Sequence, residues 1–289
     1  MTIRPARPDD RPAMERICAH TWEWGDYIPE VWDEWLADPR AVMQIGEMAG
    51  QVVALNRVVF QSPDQVWFEG MRVDPERRRE GIGWKFMEHD LASARERGAK
   101  VVRLATSHST TAVHTMVARV GMVRIGVAAL LTAEAMPGGP LPAILGPEHA
   151  SQVESFLQRS SVLAHMHGMY DCGWAWQALS AERVAEMLAA GQMAAVLTPE
   201  GKPAALAAVV TSLEGGEMWA GYADGQPEAV TALAAALRAQ AARLGRPQVE
   251  AMLPDLPWLR EAFRAAGYGQ GSWKGELWIF ERRLDEDRA

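Results

Sequence analysis

In the stretch VDPERRREGIGWKFMEHDL (73–91), Arg77, Arg78 and Arg79 stand just before Gly81 and Gly83. Glycines at such a point remove Cβ atoms and let a ligand approach the main chain closely. A helix beginning there offers unpaired N–H groups and the positive end of its dipole, a ready site for phosphate. Guanidinium groups add donors for further phosphate oxygens. The loop therefore reads as a pyrophosphate cradle, against the plainer alternative of a charged turn before a surface helix. A dinucleotide fingerprint would want a third glycine where Phe86 stands, and a nucleotide P-loop would need Gly-Lys-Ser/Thr, which is absent. The second unusual stretch is HTWEWGDYIPEVWDEWL (20–36), which crowds Trp22, Trp24, Tyr27, Trp32 and Trp35 among Glu23, Asp26, Asp33 and Glu34. Ring faces beside carboxylates suit a cationic or amino-bearing ligand. Trp32, Trp35 and Leu36 follow helical spacing and read first as core.

The elements that must position these residues follow from periodicity and turn chemistry. Ile82, Phe86, Met87 and Leu91 form one stripe of a helix after the glycine loop, with Lys85, Glu88 and Arg95 outward. QVWFEGMRV (65–73) reads as the strand leading into the loop, and AVMQIGE and QVVALNRVVF as a hairpin about Ala49-Gly50. KVVRLAT is a further strand, TAVHTMVARVG a helix closed by Gly121, and MVRIGVAALLT the last strand of this half. AEAMPGGPLPA (133–143) breaks the pattern and reads as a linker. Beyond it a similar rhythm of helices and strands returns. The sequence thus predicts a mixed α/β fold in two units, 1–135 and 145–289, joined by 136–144.

The chain has 289 residues, 48% hydrophobic, enough for a core in each half. Its formal charge is −8, with 29 basic against 37 acidic residues, which argues against a general nucleic-acid binder. No apolar run approaches the ~18 residues of a membrane span, and the first residues do not resemble a secretory signal. Cys18 and Cys172 build neither a metal site nor a disulfide framework, and His165 and His167 lack a third ligand. The expectation is a cytoplasmic protein with reduced thiols, no metal, and no nucleic-acid or membrane partner; the oligomeric state is not legible.

Arg78-x-x-Gly81-x-Gly83, after MRVDPE and before an amphipathic helix, resembles the signature of the GCN5-related N-acetyltransferase (GNAT) superfamily. TAVHTMVARVGM resembles that family's last helix, and the likeness covers most of residues 2–132. It implies a mostly antiparallel mixed sheet, splayed between the strands near 66–73 and 100–106. Acetyl-CoA would lie in the splay, its pyrophosphate on Arg78, Arg79, Glu80, Gly81, Ile82, Gly83 and Trp84, and its pantetheine arm beside Met71, Arg72 and Val73. The acceptor would be a small-molecule amine, walled by the first helix-loop-helix with Trp22, Trp24, Asp26 and Tyr27. GDYIPEVWDEWLADP is also similar to the histidine N-acetyltransferase-like group, which would suggest an amino-acid α-amine.

Acetyl transfer needs a base for the ammonium proton, and Glu69 is the candidate: its neighbours Val66, Trp67, Phe68 and Met71 are apolar, and burial raises a carboxyl pKa. Pairing with Arg57 or Arg72 is the alternative for that side chain. Val117 stands where the family carries the tyrosine that protonates the leaving thiolate, so His114 or Ser109 would substitute, or the thiolate leaves without a protein acid. In the second half ADGQPEAVTAL takes the loop's place, with Gln226 leading but Ala229 and Thr231 for the glycines. It reads as a degenerate GNAT-like copy that does not bind CoA. Beside an N-acetyltransferase of small amines stand two other readings, a non-catalytic CoA sensor and an enzyme acting on a protein N-terminus or lysine.

Overall fold

The structure is a computed structural model that describes residues 1–22, 25–210, 216–271, 273 and 275–285. The chain divides into two compact units: the first holds Met1–Leu104, Thr111–Val123 and the chain from Phe280 onward, and the second holds Ala105–Thr110 and Arg124–Ile279. These are not the contiguous 1–135 and 145–289 of the sequence reading. The strand after Gly121 goes with the second unit beyond Val123, and the end of the chain returns to the first.

In the first unit β1 (Thr2–Pro5), β2 (Ala41–Met48), β3 (Gln51–Ser62) and β4 (Gln65–Val73) pair antiparallel in that order. β2 and β3 turn at Ala49 and Gly50, both at positive φ (50° and 77°), the conformation a two-residue hairpin requires. Alternation sends Met43, Ile45 and Leu55 to one face, where they pack with Met14 and Ile17 of α1 (Arg11–Cys18) and Ile28 and Trp32 of α2 (Ile28–Ala37). On the other face Val53 and Ala54 meet Ile82 and Phe86 of α3 (Ile82–Glu96). Gly46 lets the Phe86 ring lie against the sheet: a Cβ there would come within 2.7 Å of it. Burying a side chain such as Phe86 is worth about 1.5–3 kcal/mol, so this contact fixes where α3 begins.

β5 (Val101–Ser107) runs parallel to β4, but pairing holds only for Gln65, Val66 and Trp67 against Val101, Val102 and Arg103. β4 continues six residues to Val73, still paired to β3 but no longer to β5. The strands therefore part after Trp67. α4 (Thr111–Arg119) completes the unit.

The second unit repeats the plan. β6 (Val123–Glu134), β13 (Gln248–Pro254), β12 (Met218–Gly225), β11 (Pro203–Val210), β10 (Met193–Leu197) and β7 (Ala143–Leu145) pair in that order, all antiparallel except β12 with β13. Buried alanines of β10–β12, among them Ala194, Ala205, Ala207 and Ala220, let α8 (Pro227–Arg243) pack closely. α5 (Ala150–Leu157), α6 (Ser161–His165), α7 (Ala181–Ala189) and α9 (Pro257–Ala265) complete the layers. Three short strands were not legible in the sequence: β7 lies at the end of the expected linker, and β8 (Met169–Asp171) and β9 (Trp176–Ala178) form a hairpin in what reads as a loop. The last strand, Leu277–Arg283, changes unit after Ile279.

Candidate active site

β4 carries a bulge. Leu55 faces Arg72 and Arg57 faces Glu69, so a step of two residues on β3 is matched by three on β4. The extra residue falls at Gly70–Met71, and Gly70 has φ +68°, which a residue with a side chain adopts at a cost. A Cβ on Gly70 would lie 2.8 Å from the Trp35 ring, so α2 packs directly on the bulge. The bulge and the parting from β5 together leave the Met71–Val73 backbone on an edge that a ligand can extend. The Met71 carbonyl accepts from Nη1 of Arg72 (3.1 Å).

The chain then turns into α3. Asp74 accepts from the Glu76 N–H (3.1 Å) and pairs with Arg16, which fixes the exit from β4; its carboxyl sits below the usual range, burial opposing these bonds. Arg77 pairs with Glu80 (3.3 Å), while Arg78, Arg79 and Glu80 are exposed. Arg79 (φ +69°) and Gly81 (φ +75°) take left-handed conformations, and Gly81 caps α3 with no side chain bonded to its first N–H groups. A Cβ on Gly81 would meet nothing within 4 Å, and one on Gly83 only Sδ of Met116 at 3.9 Å. Gly81 is explained by its φ. Gly83 is explained neither by conformation nor by packing; what its missing side chain leaves is room beside bare amides. That is the space a diphosphate would need. Trp84 leans away onto α4, with the Arg119 guanidinium 3.9 Å from its ring centre.

Glu69 stands one residue before the bulge. Its Oε1 accepts from Nη1 of Arg57 (2.5 Å) and its Oε2 from Nε1 of Trp67 (3.0 Å). Burial pushes its pKa up, with Arg57 and Trp67 pulling the other way. Glu69 is thus both a buried carboxyl of raised pKa and one held by Arg57. Nη2 of Arg57 reaches Asp38 (2.6 Å), and the guanidinium lies 4.7 Å from the Trp35 ring centre. Asp38 escaped the sequence reading, which offered Arg57 only as one possible partner of Glu69 and Trp35 only as core, since 38, 57 and 69 meet only through the fold.

Asp26 is wholly buried, and both its oxygens take Arg72, Oδ2 from Nε (2.6 Å) and Oδ1 from Nη2 (3.1 Å). It also accepts from the Ile28 N–H (3.2 Å), so it starts α2. It therefore positions the wall and cannot face a substrate as a free carboxylate. Its pKa is lowered, Arg72 outweighing burial. The Arg72 guanidinium lies over the rings of Trp22 (4.6 Å) and Tyr27 (5.4 Å), which stack on one another at 6.3 Å. Trp22 and Tyr27 are exposed; Trp24 lies outside the described residues. The buried Cys18 thiol is pushed up to about 12 by burial and by Asp26, which makes it unreactive at neutral pH.

His114 is half-buried on α4, its ring 5.9 Å from that of Phe280, and Val117 is buried in the core of that helix. Ser109 falls in the second compact unit, where its hydroxyl is 2.9 Å from that of Ser107. The first unit thus gathers Glu69, His114, the β4 edge and the α3 loop, but not Ser109. Among the described residues no group of three or more His, Cys, Asp and Glu side chains is placed to hold a metal, and no helix is long and apolar enough to cross a membrane.

The second unit keeps the same frame. Ala208 faces Tyr222 and Val209 faces Ala220, so β12 also bulges, at Gly221, and its parallel pairing with β13 ends at Ala220 and Ala251. Here the chain fills its own frame. A Cβ on Gly221 would sit 1.7 Å from the Asp171 carbonyl oxygen, so β8 lies against the bulge. Asp224 accepts from the Ser160 hydroxyl (2.5 Å) and the Val162 N–H (3.2 Å), tying in the start of α6. α8 opens with Gln226, Pro227 and Glu228; proline has no N–H to offer and no arginine is present.

The acetyltransferase (GNAT) family model matches residues 11–122. No curated protein matches the chain. Among solved structures it is similar to a GCN5-related N-acetyltransferase from Sphaerobacter thermophilus, with TM-score 0.70 and 16% identity over 98% of this chain and 95% of that one. It is also similar to a tandem GNAT protein from the clavulanic acid biosynthesis pathway, with TM-score 0.59 and 16% identity over 98% of each. A GCN5-related N-acetyltransferase from Kribbella flavida aligns with TM-score 0.50 and 17% identity over 99% of this chain and 71% of that one. Residues 11–122 thus match the acetyltransferase (GNAT) family model, and the whole chain shares its fold with these solved structures.

Proposed function

We propose that the first unit transfers an acetyl group from acetyl-CoA to the primary amine of a small molecule. The observation that carries this reading is continuous in the chain: a bulge at Gly70, an unpaired edge at Met71–Val73, and a helix opened by Gly81 and Gly83 without a side-chain cap. Acetyl-CoA, the family's acyl donor, supplies an activated thioester. The amides of Gly81–Trp84 and the exposed Arg78 and Arg79 suit its diphosphate. The edge of Met71, Arg72 and Val73 suits its pantetheine amides, and an N–H at the bulge would polarise the thioester carbonyl. Glu69, oriented by Arg57 and Trp67, takes the proton from the acceptor ammonium, directly or through water. For the leaving thiolate the first unit offers His114; release without a protein acid is the alternative, since Val117 has no polar atom.

Gly83→Val is the direct test, because its Cβ has room in the folded chain. Acetyl-CoA binding by calorimetry should be lost while the Tm stays within about 2 °C of the parent. Undiminished affinity would remove the cradle. Gln226→Ala should leave that affinity unchanged, since the second unit acts in this reading as scaffold.

The engagement of both Glu69 oxygens, together with Val117, favours one second reading, a CoA-binding sensor without turnover. CoA release in the presence of amines separates the two.

A further inference from the structure

Resting on the acyl-transfer reading of the first unit, the wall beside the β4 bulge also says which amines it accepts. Trp35 touches Gly70, and Glu69 precedes it, so α2 borders the place where an amine would lose its proton. In sequence, residues 20–38 hold six acidic residues, Glu23, Asp26, Glu30, Asp33, Glu34 and Asp38, and no Lys or Arg. The exposed Asp33 pairs with Arg11 (2.7 Å); the guanidinium groups behind α2 come from β3 and β4, and both are already committed. Arg72 spends Nε and Nη2 on Asp26 and Nη1 on the Met71 carbonyl. Arg57 spends Nη1 on Glu69 and Nη2 on Asp38, and its Nε is buried without a partner. Their side chains are only 13% and 10% exposed, and aromatic rings cover them. Around the bulge three carboxylates, Asp26, Asp38 and Glu69, meet two guanidiniums; Arg40, a further partner of Asp38, is 71% exposed and screened by solvent.

We infer that the acceptor is an amine with no carboxylate beside its amino group. An α-amino acid would bring its carboxylate to a wall of negative balance whose cations cannot turn to meet it. An ammonium without that carboxylate finds the exposed side chains of Trp22 and Tyr27 and the excess negative charge of the Asp26, Asp38 and Glu69 cluster. This runs against the amino-acid acceptor suggested by the likeness to histidine N-acetyltransferases. Asp26 and Asp38 are then specificity residues that act by masking arginines.

The experiment uses the full chain, acetyl-CoA and matched acceptors: histidine, histidinamide and histamine, and tyrosine, tyrosinamide and tyramine. CoA release gives kcat/KM for each, and a thermal shift with acetyl-CoA alone is run beside it. The amides and decarboxylated amines should exceed their acids by at least about tenfold. Acids turned over equally well or better overturn the inference and leave the transferase reading standing. No release with any acceptor overturns the transferase reading and the inference with it, and the thermal shift then says whether acetyl-CoA binding survives. Asp26→Asn should unmask Arg72 and narrow the ratio, and Asp38→Asn should do the same through Arg57 if Asp26→Asn does not fold. An unchanged ratio in a folded variant overturns the masking.

Discussion

In the proposed transfer Glu69 is the base, and two opposed influences act on its carboxyl. Burial raises its pKa while Arg57 and Trp67 lower it, and the balance stays raised. Because only the ionised form accepts a proton, kcat/KM should rise with pH through that raised pKa. Glu69→Gln should lower kcat by about 10²-fold or more and remove the rise, with acetyl-CoA affinity unchanged. A parent-like pH profile in the variant would dismiss Glu69 as the base. The sequence marks Glu69 through its apolar neighbours, but not the triad with Arg57 and Asp38, because a cross-strand pair depends on register. Asp26 was legible as unusual and illegible in role: nothing local in GDY says that Arg72, 46 residues on, takes both oxygens. Gly83 was the reverse, a residue that local spacing singles out and that packing merely permits.

At the scale of elements, β4 runs over the nine residues 65–73 that its period marks, and α3 follows its apolar stripe. What periodicity cannot give is the bulge, since one inserted residue leaves the pattern of side chains on either side intact. Gly70→Val tests it. The left-handed φ costs about 1–2 kcal/mol for a residue with a side chain, and the contact with Trp35 adds overpacking of about 1–3 kcal/mol. The variant should lose several degrees of Tm, and turnover should fall by more than acetyl-CoA binding; equal stability and rate would show that β4 needs no bulge. The hairpin β8–β9 was missed because His167 and Gly168, both at positive φ, and Gly173 read as loop punctuation. Its role depends on β12, 46 residues beyond Cys172, where Gly221 makes room for it.

At the scale of the molecule, each unit hides a carboxyl of raised pKa among neutral partners. Asp90 takes amide donors from Gln44 (3.0 Å) and Asn56, and Asp171 takes the Trp219 indole N–H (2.5 Å). Burial pushes each up to about 7, from an ordinary 3.8. The folded chain then keeps a proton that the unfolded chain releases, so the stability these two carboxyls contribute is fully present below about pH 4, falls as pH rises towards 7, and is lost above. Asp90→Asn and Asp171→Asn should each flatten part of that fall in urea midpoints taken at pH 5 and 8; an unaltered slope would show the carboxyls ionised. The return of the chain from Phe280 to the first unit has an outcome in time as well as space. Glu281 holds the buried Arg103 (2.7 Å), and the Leu284 N–H closes on the Lys100 carbonyl (2.7 Å). A fragment stopping at residue 135 would leave Arg103 without that carboxylate, a loss of about 3–5 kcal/mol. During synthesis the first unit must therefore wait, open at one flank, until residues 280–284 have left the ribosome.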